Sequence, residues 1–469
     1  METVKTTQRE KLGSRLGFIL LSAGCAIGVG NIWKFPYMVG SYGGGLFVLL
    51  YLAILALLGI PILTMEFAVG RASQLSPLKA FKKLEPEGTK WHAHGHASLV
   101  GSVLLMMFYT VVSGWMLIYF VKMVKGDFTS VGQEISSTSS PFIEMTSNPT
   151  IQIIATLVVI VMGFLVCGFG VQNSLERITK VIMIAMLVMM IVLAINGFFL
   201  EGASEGLKFY LVPDFAVLEQ QKFIVILGAA MTQAFFTLSI GIGSMAIFGS
   251  YIGKDRALMG EATTVTILDT FVAIMAGLII FPACMTYGVD VQKGPGLIFE
   301  ALPQVFVNMP GGRIWGSVFF LFMCFAALST VFAVFENIVA CLQDLTGKKR
   351  AHICIFAGIG MAILSLPCIF GFNLLSGVNL FGKLNILGIE DFIVSNVLLP
   401  IGSLIFVLFC TTKKGWGYDN FVEEANQGKG IKVKKWMRVY FKYVLPVLML
   451  IFIVISVFMF LYENNFITA

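Results

Sequence analysis

Two carboxyl groups stand where the surrounding residues offer no water. Asp269 lies in Ile267-Leu268-Asp269-Thr270, about three helical turns from either end of an apolar run, and Glu66 lies in Pro61-Ile62-Leu63-Thr64-Met65-Glu66 near the end of another. A charge at that depth is costly, so each is expected to face a helix-bundle interior and find partners there. For Asp269 an ion-ligand role leads, with a proton carrier and a buried structural acid as alternatives. Glu66 is expected to meet open backbone amides; snorkelling to the interface is the bland alternative. Ala326-Ala327-Leu328-Ser329-Thr330 sets two adjacent hydroxyls among carbonyls, which suits a hard monovalent cation that takes only oxygen. Hydroxyls back-bonding within their own helix would look the same. Tyr109 carries a phenol into an apolar run and needs a partner, either a ligand or a backbone carbonyl. His92, His94 and His96 alternate in a way that can chelate a transition metal, yet no Cys or carboxylate adjoins them, so they read as solvated loop residues. No nucleophile–base pair and no metal cluster occurs at membrane depth, which excludes a membrane enzyme.

The backbone is interrupted twice in a related way. Ala23-Gly24-Cys25-Ala26-Ile27-Gly28-Val29-Gly30-Asn31 breaks the first apolar run, and Thr237-Leu238-Ser239-Ile240-Gly241-Ile242-Gly243-Ser244 breaks a later one. Glycine and asparagine weaken a helix interior. Freed backbone groups are tolerated in lipid only where they line a buried cavity or bind something. Paired Gly-interrupted spans in two halves of a chain point to the central site of a transporter. Small-residue helix packing is the competing explanation.

These residues need a membrane bundle to hold them. Of 469 residues, 57% are hydrophobic and 12% charged, with a mean hydropathy of +0.88. A soluble domain carries roughly twice that charge. Apolar runs predict eleven spans, at 14–38, 45–70, 97–124, 150–170, 177–200, 223–249, 258–287, 313–343, 351–371, 386–411 and 437–462. With residues 1–13 inside, roughly 24 of the 32 basic residues fall on the cytoplasmic side, which places the C-terminus outside. The net charge of +6 then reflects orientation and not nucleic-acid binding. The eight cysteines all lie in apolar stretches and read as buried thiols. The first apolar run has no small-residue cleavage site and leads into a second span, so no signal peptide is expected.

Three motifs carry a family resemblance: Arg15-Leu16-Gly17 running to Gly28-Val29-Gly30-Asn31-Ile32-Trp33-Lys34-Phe35-Pro36, Gly59-Ile60-Pro61 to Glu66, and Gln233-Ala234-Phe235-Phe236-Thr237-Leu238-Ser239. With them the chain resembles bacterial members of the neurotransmitter:sodium symporter family over nearly its whole length. The resemblance implies an all-α polytopic membrane protein of about eleven helices, a 5+5 inverted repeat with broken first and sixth helices. The repeats would be 14–200 and 223–411, with 201–222 an external loop, 412–436 a cytoplasmic loop and 437–469 a last span with an external C-terminus. It further implies amino-acid transport driven by sodium. One sodium site would use the Ala26 carbonyl, Asn31, Thr237, Asp269 and the substrate carboxylate. A second would use the carbonyls of Gly24, Ile27 and Ala326 with the hydroxyls of Ser329 and Thr330. The substrate carboxylate would meet the amides of Val29 and Gly30 and the Tyr109 hydroxyl, and its amine the carbonyls near Phe236 and Ser239. Lys34 and Asp391 would form an external gate with Gln233 beside it and Phe236 as lid. Arg9, Tyr251 and Asp344 would form an internal gate.

The expected function is therefore sodium-coupled import of a bulky apolar L-amino acid at the inner membrane, through a side-chain pocket of Leu105, Phe236, Ile242 and Val334. Ile242 stands where a bacterial relative has a larger aromatic residue, which would leave spare volume. A ligand-gated channel on the same scaffold is the alternative; a channel needs a continuous polar path, and the polar patches here are closed by aromatic and charged gates. Two sodium ions are expected and no chloride. Animal relatives generally need that anion, and Asp269, where many members have asparagine, supplies a fixed negative charge. Other departures are Lys34, where arginine is usual, and Leu12, where tryptophan is usual. Partners are the amino acid and the bilayer, with a homodimer left open.

Overall fold

The computed structural model describes residues 12–128, 141–291, 296–378 and 384–463. Nine unbroken helices among them are long and apolar enough to cross a membrane. A tenth crossing is a bent pair, α1 (Arg15–Ala26) and α2 (Gly30–Ser41), inclined at 52° to each other. The unbroken helices are α3 (Gly45–Ser73), α4 (His92–Lys125), α5 (Pro149–Gly168), α6 (Glu176–Phe198), α9 (Leu258–Thr286), α10 (Gly312–Thr346), α11 (Arg350–Phe370), α12 (Ile386–Thr411) and α13 (Met437–Met459). Between α6 and α9 lie two shorter pieces, α7 (Phe223–Thr237) and α8 (Ser244–Gly249). The six residues between them form the second break, so the expected sixth span is two half-helices. The chain is thus an all-helical polytopic membrane protein with its interruptions where the glycine-rich stretches predict them.

Local chemistry sets the helix ends. The Ser14 hydroxyl accepts from the Gly17 amide to cap α1, and Asn148 accepts from Thr150 and Ile151 ahead of α5, whose Pro149 lacks the N–H that a first turn cannot use. Gly126 and Gly347 close α4 and α10 in the left-handed region, φ +87° and +66°, where a side chain would be strained.

Depth in the bundle follows function. The apolar stretches of α4 and α10 are 72% and 78% buried inside the protein, against 33% for α6 and α11. α4 and α10 pack along each other, and α1 packs against α6, α8, α9 and α10. The first break therefore sits at the centre of the bundle, and the least buried helices, α6 and α11, carry apolar side chains on its outside. All eight cysteines are buried and unbonded among the described residues.

The three histidines depart from expectation. They are the first turn of α4 and not a loop, so the span starts at His92 and not near 97. His92 pairs with Glu85 at 2.7 Å, a carboxylate seven residues away in sequence, while His94 is buried edge-on to Phe81 and Phe406. Only His96 is exposed to solvent. His94 thus points away from the face that His92 and His96 share, and no group of three or more His, Cys, Asp or Glu close enough to hold a metal occurs among the described residues.

Candidate functional site

The last turn of α1 leaves carbonyls without helical partners, as any α-helix end does. Side chains from α10 and from the second break meet them. The Thr330 hydroxyl donates to the Gly24 and Ile27 carbonyls, both at 3.2 Å, and Ser329 donates to Ile27 at 3.2 Å and to Ala326 at 2.8 Å. Ser239, itself at φ +50° in the second break, donates to the Cys25 carbonyl at 3.2 Å. The five residues expected at the second ion site, Gly24, Ile27, Ala326, Ser329 and Thr330, are thus one cluster.

Asn31, just past the break, organises the other cluster. Its amide oxygen accepts from Gly28 N–H at 3.1 Å, and its NH2 donates to the Asp269 carboxylate at 2.8 Å and the Asp269 carbonyl at 3.2 Å. Thr237 donates to both carboxylate oxygens at 3.2 Å. Asn31, Thr237 and Asp269 are fully buried, and Ala26 ends α1 beside them. Gly28 makes the approach feasible: a Cβ there would lie 2.2 Å from the Tyr109 hydroxyl and 2.3 Å from the Thr330 hydroxyl. Tyr109 accepts from the Val29 amide at 2.9 Å, so the expected carboxylate-binding groups lie together. Glu66 accepts from the Gly241 amide in the second break, the open backbone amide that its depth calls for.

A small enclosed cavity between the breaks is lined by Cys25, Ala26, Gly30, Leu105, Tyr109, Phe236, Ser239, Thr330 and Leu399. Ile242 and Val334 are buried and are not among the residues that line it. Ile242 packs into the notch left by Gly101 on α4, where a Cβ would lie 2.9 Å from its methyl group. Cys25 and Leu399 line the cavity as well: Cys25 sits in the last turn of α1, and Leu399 comes from the distant α12.

Above the cavity, Lys34 contacts both oxygens of Asp391 at 2.8 Å and Ser395 at 3.1 Å, with its ammonium 4.2 Å from the centre of the Phe236 ring. Gln233 donates to the Gly30 carbonyl at 2.8 Å, fixing the start of α2 beside that lid. Its side-chain oxygen has no hydrogen-bond partner among the described residues.

At the opposite end, Tyr251 donates to Glu336 at 2.6 Å, and Glu336 is paired with Arg350. Asp344 accepts from the Ser76 amide at 2.8 Å. Arg9 lies outside the described residues. Glu336 is a further carboxyl in the middle of an apolar run; that signal could have found it, whereas its partner sits 14 residues on, past a turn. Nearby, Arg71 is buried against Glu424 and the carbonyls of Glu424, Gly253 and Arg256, tying two loops to the end of α3.

Broken helices whose open carbonyls meet buried oxygens at mid-bundle, under a charged lid, define a secondary active transporter. The chain belongs to the Sodium:neurotransmitter symporter family, whose pattern it matches over residues 9–137 and 131–467. Its sequence is 37% identical to the sodium-dependent transporter YhdH of Bacillus subtilis (strain 168) over 85% of this chain and 87% of that one. It is 31% identical to a sodium-dependent transporter of Haemophilus influenzae, over 97% and 100%. The crystal structure of MhsT in complex with L-phenylalanine superposes with a TM-score of 0.85 at 35% identity, covering 96% of this chain and 100% of that one. The protein is accordingly a sodium-dependent symporter and not an enzyme.

Proposed function

We propose that the chain imports a bulky hydrophobic or aromatic L-amino acid with two sodium ions by alternating access, without chloride. The observation that carries this reading is the oxygen-only shell around the end of α1. Oxygens packed around a cation at about 2.3–2.6 Å lie roughly 3.3–3.7 Å apart in an octahedral set. Thr330, Ser329, Gly24 and Ile27 already stand at 3.2 Å. Asp269, Thr237, Asn31 and Ala26 supply the second oxygen set, completed by the substrate carboxylate. That carboxylate sits at the Val29 and Gly30 amides and the Tyr109 hydroxyl, where the positive N-terminal end of α2 favours an anion.

The cavity supports the substrate class. Leu105, Phe236, Cys25 and Leu399 offer no charge to a side chain, so acidic and basic amino acids are rejected by desolvation cost. The bound L-phenylalanine of MhsT is in keeping with this class. The Lys34–Asp391 end is outward and the Glu336–Arg350 end inward. Sodium acts by favouring the conformation in which both shells are assembled, and the shared ligand ties ion to amino acid.

Uptake into proteoliposomes tests this directly. Bulky apolar amino acids should accumulate in sodium and not in choline, and should persist when gluconate replaces chloride. Asp269→Asn should lose transport or come to need chloride, because the fixed negative charge beside the first ion is gone. Equal uptake in choline, or glycine and alanine outcompeting the large substrates, would overturn the proposal. A wild type that stops in gluconate would overturn its chloride clause.

A further inference from the structure

Away from the transport site, an apolar groove of about 300 Å³ runs along the seam of α5 and α11 on the outer surface of the bundle. Ile160, Phe164 and Cys354 form its floor and are buried, while Leu157, Val161, Leu165, Ile355 and Ile359 form its walls and are exposed. The depression exists because one row of α11, Cys354, Gly358 and Ala362, is small at every fourth position and lies opposite the Phe164 ring. A helix, about 10–12 Å across, could lie over such a trough but not in it. A stretch of hydrocarbon chain could lie within it.

The two ends of the groove differ in charge. At one end the Arg350 side chain bonds the Cys167 carbonyl and the Glu336 carboxylate, pinning the start of α11 to the end of α5. Lys348 and Lys349 precede that pin and Arg177 follows α5; all three are exposed, and none forms an ion pair among the described residues. The Lys348 ammonium turns back along α11 to 5.8 Å from the Phe356 ring. The other end has no Lys or Arg between Pro141 and Ile151 or between Leu364 and Val378. Exposed cations at the same end of both helices, beside an apolar trough, complement one membrane component, a phosphate ester carrying a fatty chain.

We infer that the α5–α11 groove is a binding site for one acyl chain of an anionic phospholipid, with the headgroup phosphate held by Lys348, Lys349 and Arg177. Within a bilayer the groove gains nothing from hydrophobic burial, since lipid is as apolar as its walls. Selectivity comes from the charge at one end and from close packing along the floor. The occupant therefore belongs to the leaflet on the Lys348 side, and a zwitterionic lipid with the same chains binds less well.

Native mass spectrometry of the full chain in detergent, titrated with phosphatidylglycerol or phosphatidylcholine of identical chains, tests this. Wild type should retain phosphatidylglycerol at least threefold better. A Lys348→Ser/Lys349→Ser variant should lose that preference and keep the groove. Gly358→Leu should lower retention of the anionic lipid at least threefold, because a Cβ there points into the trough at an ordinary 3.4 Å from Phe164 and the rest of the side chain fills it. Ala362→Leu fills the same trough one turn on and serves if the first variant does not fold. Neither position touches the transport site, so the sodium-induced rise in thermal stability should be unchanged. Equal retention of both lipids by wild type, or full retention by a folded groove-filling variant, would overturn the site. Loss of a dimer mass without loss of lipid would assign the groove to contact between copies instead.

Discussion

The two ends of the central cavity are closed by different means. At one end a single ion pair, Lys34–Asp391, lies over one aromatic lid; the side chains are 7% and 29% exposed. At the other, Glu336 is wholly buried with Arg350 and Tyr251, and Arg71 is wholly buried with Glu424 and three loop carbonyls. An exposed pair is worth about 0–1 kcal/mol, whereas stranding one member of a buried pair costs about 3–5 kcal/mol; the Lys34 pair, with Lys34 buried and Asp391 partly exposed, lies between the two. The Lys34 closure thus opens at lower cost than the Glu336 one. The Glu336 closure opens only if its buried charges find water or new partners during the movement. An asymmetry of this kind makes opening at the Lys34 end the easier step and leaves opening at the Glu336 end dependent on what stabilises its freed charges.

The largest effect should follow from breaking the heavy closure. Glu336→Ala leaves the Arg350 guanidinium, only 15% exposed, with the Cys167 carbonyl and a long contact to the Gln343 side chain, and thermal or denaturant unfolding in detergent should register a loss of about 3 kcal/mol. Replacing the pair together, Glu336→Leu with Arg350→Met, should recover more than half of that loss, because a buried pair is often no more stabilising than apolar residues of similar size. A double variant as unstable as the single one would mean that the Tyr251 and Cys167 contacts, and not the charges, hold this end.

Arg71→Met comes next, at about 2–3 kcal/mol. Glu424 would keep Gln427 at 3.2 Å and Lys254 at 3.6 Å, so its charge is not abandoned. The freed carbonyls of Gly253 and Arg256 lie in the loop after α8, so hydrogen exchange should rise in residues 253–257 before the helices loosen. Unchanged exchange there would remove Arg71 from the closure and leave Glu336 as its only anchor.

The sequence made one closure far easier to read than the other. Lys34 stands at the end of a Gly-rich motif, and its resemblance to a known pattern supplies Asp391 as partner. The two oxygen clusters proposed to hold sodium were legible for a similar reason: carboxyls, hydroxyls and glycines are conspicuous in apolar surroundings, as at Asp269, Ser329-Thr330 and Gly28. Arg71 looked like one more loop-facing cation, since nothing in its own helix names Glu424, 353 residues away. Side-chain direction inside the breaks was least legible. Helical periodicity lapses there, so nothing in the sequence around Ile242 points to its packing against Gly101 of α4. His94 was read as a solvated loop residue because its partners, Phe81 and Phe406, come from two other segments.

Breaking the light closure should do little to the fold. Lys34→Ala leaves Asp391 with Ser395 at 2.7 Å and partial water access, so stability should fall by about 1 kcal/mol or less. Release of bound amino acid toward that side should nevertheless quicken, because Phe236 loses the cation that lies over its ring. A stability loss approaching that of Glu336→Ala would erase the contrast between the two ends.

Lys34→Arg sharpens the comparison with the smallest change. The ammonium already reaches both Asp391 oxygens, but as a point charge it can pivot between them and Ser395 while the lid moves. A guanidinium offers a planar fork that binds the carboxylate in two parallel bonds and stacks on the Phe236 face, so fewer geometries satisfy it and each is held more firmly. Unfolding free energy should change by no more than about 0.5 kcal/mol, since the number of charges and their exposure are kept. The effect belongs in the kinetics: opening at this end must break a better-fitted pair, and turnover in proteoliposomes should slow several-fold with sodium affinity unaltered. Equal turnover in the two proteins would mean that opening at the Lys34 end is never rate-limiting, and that the buried charges around Glu336 set the pace of the cycle.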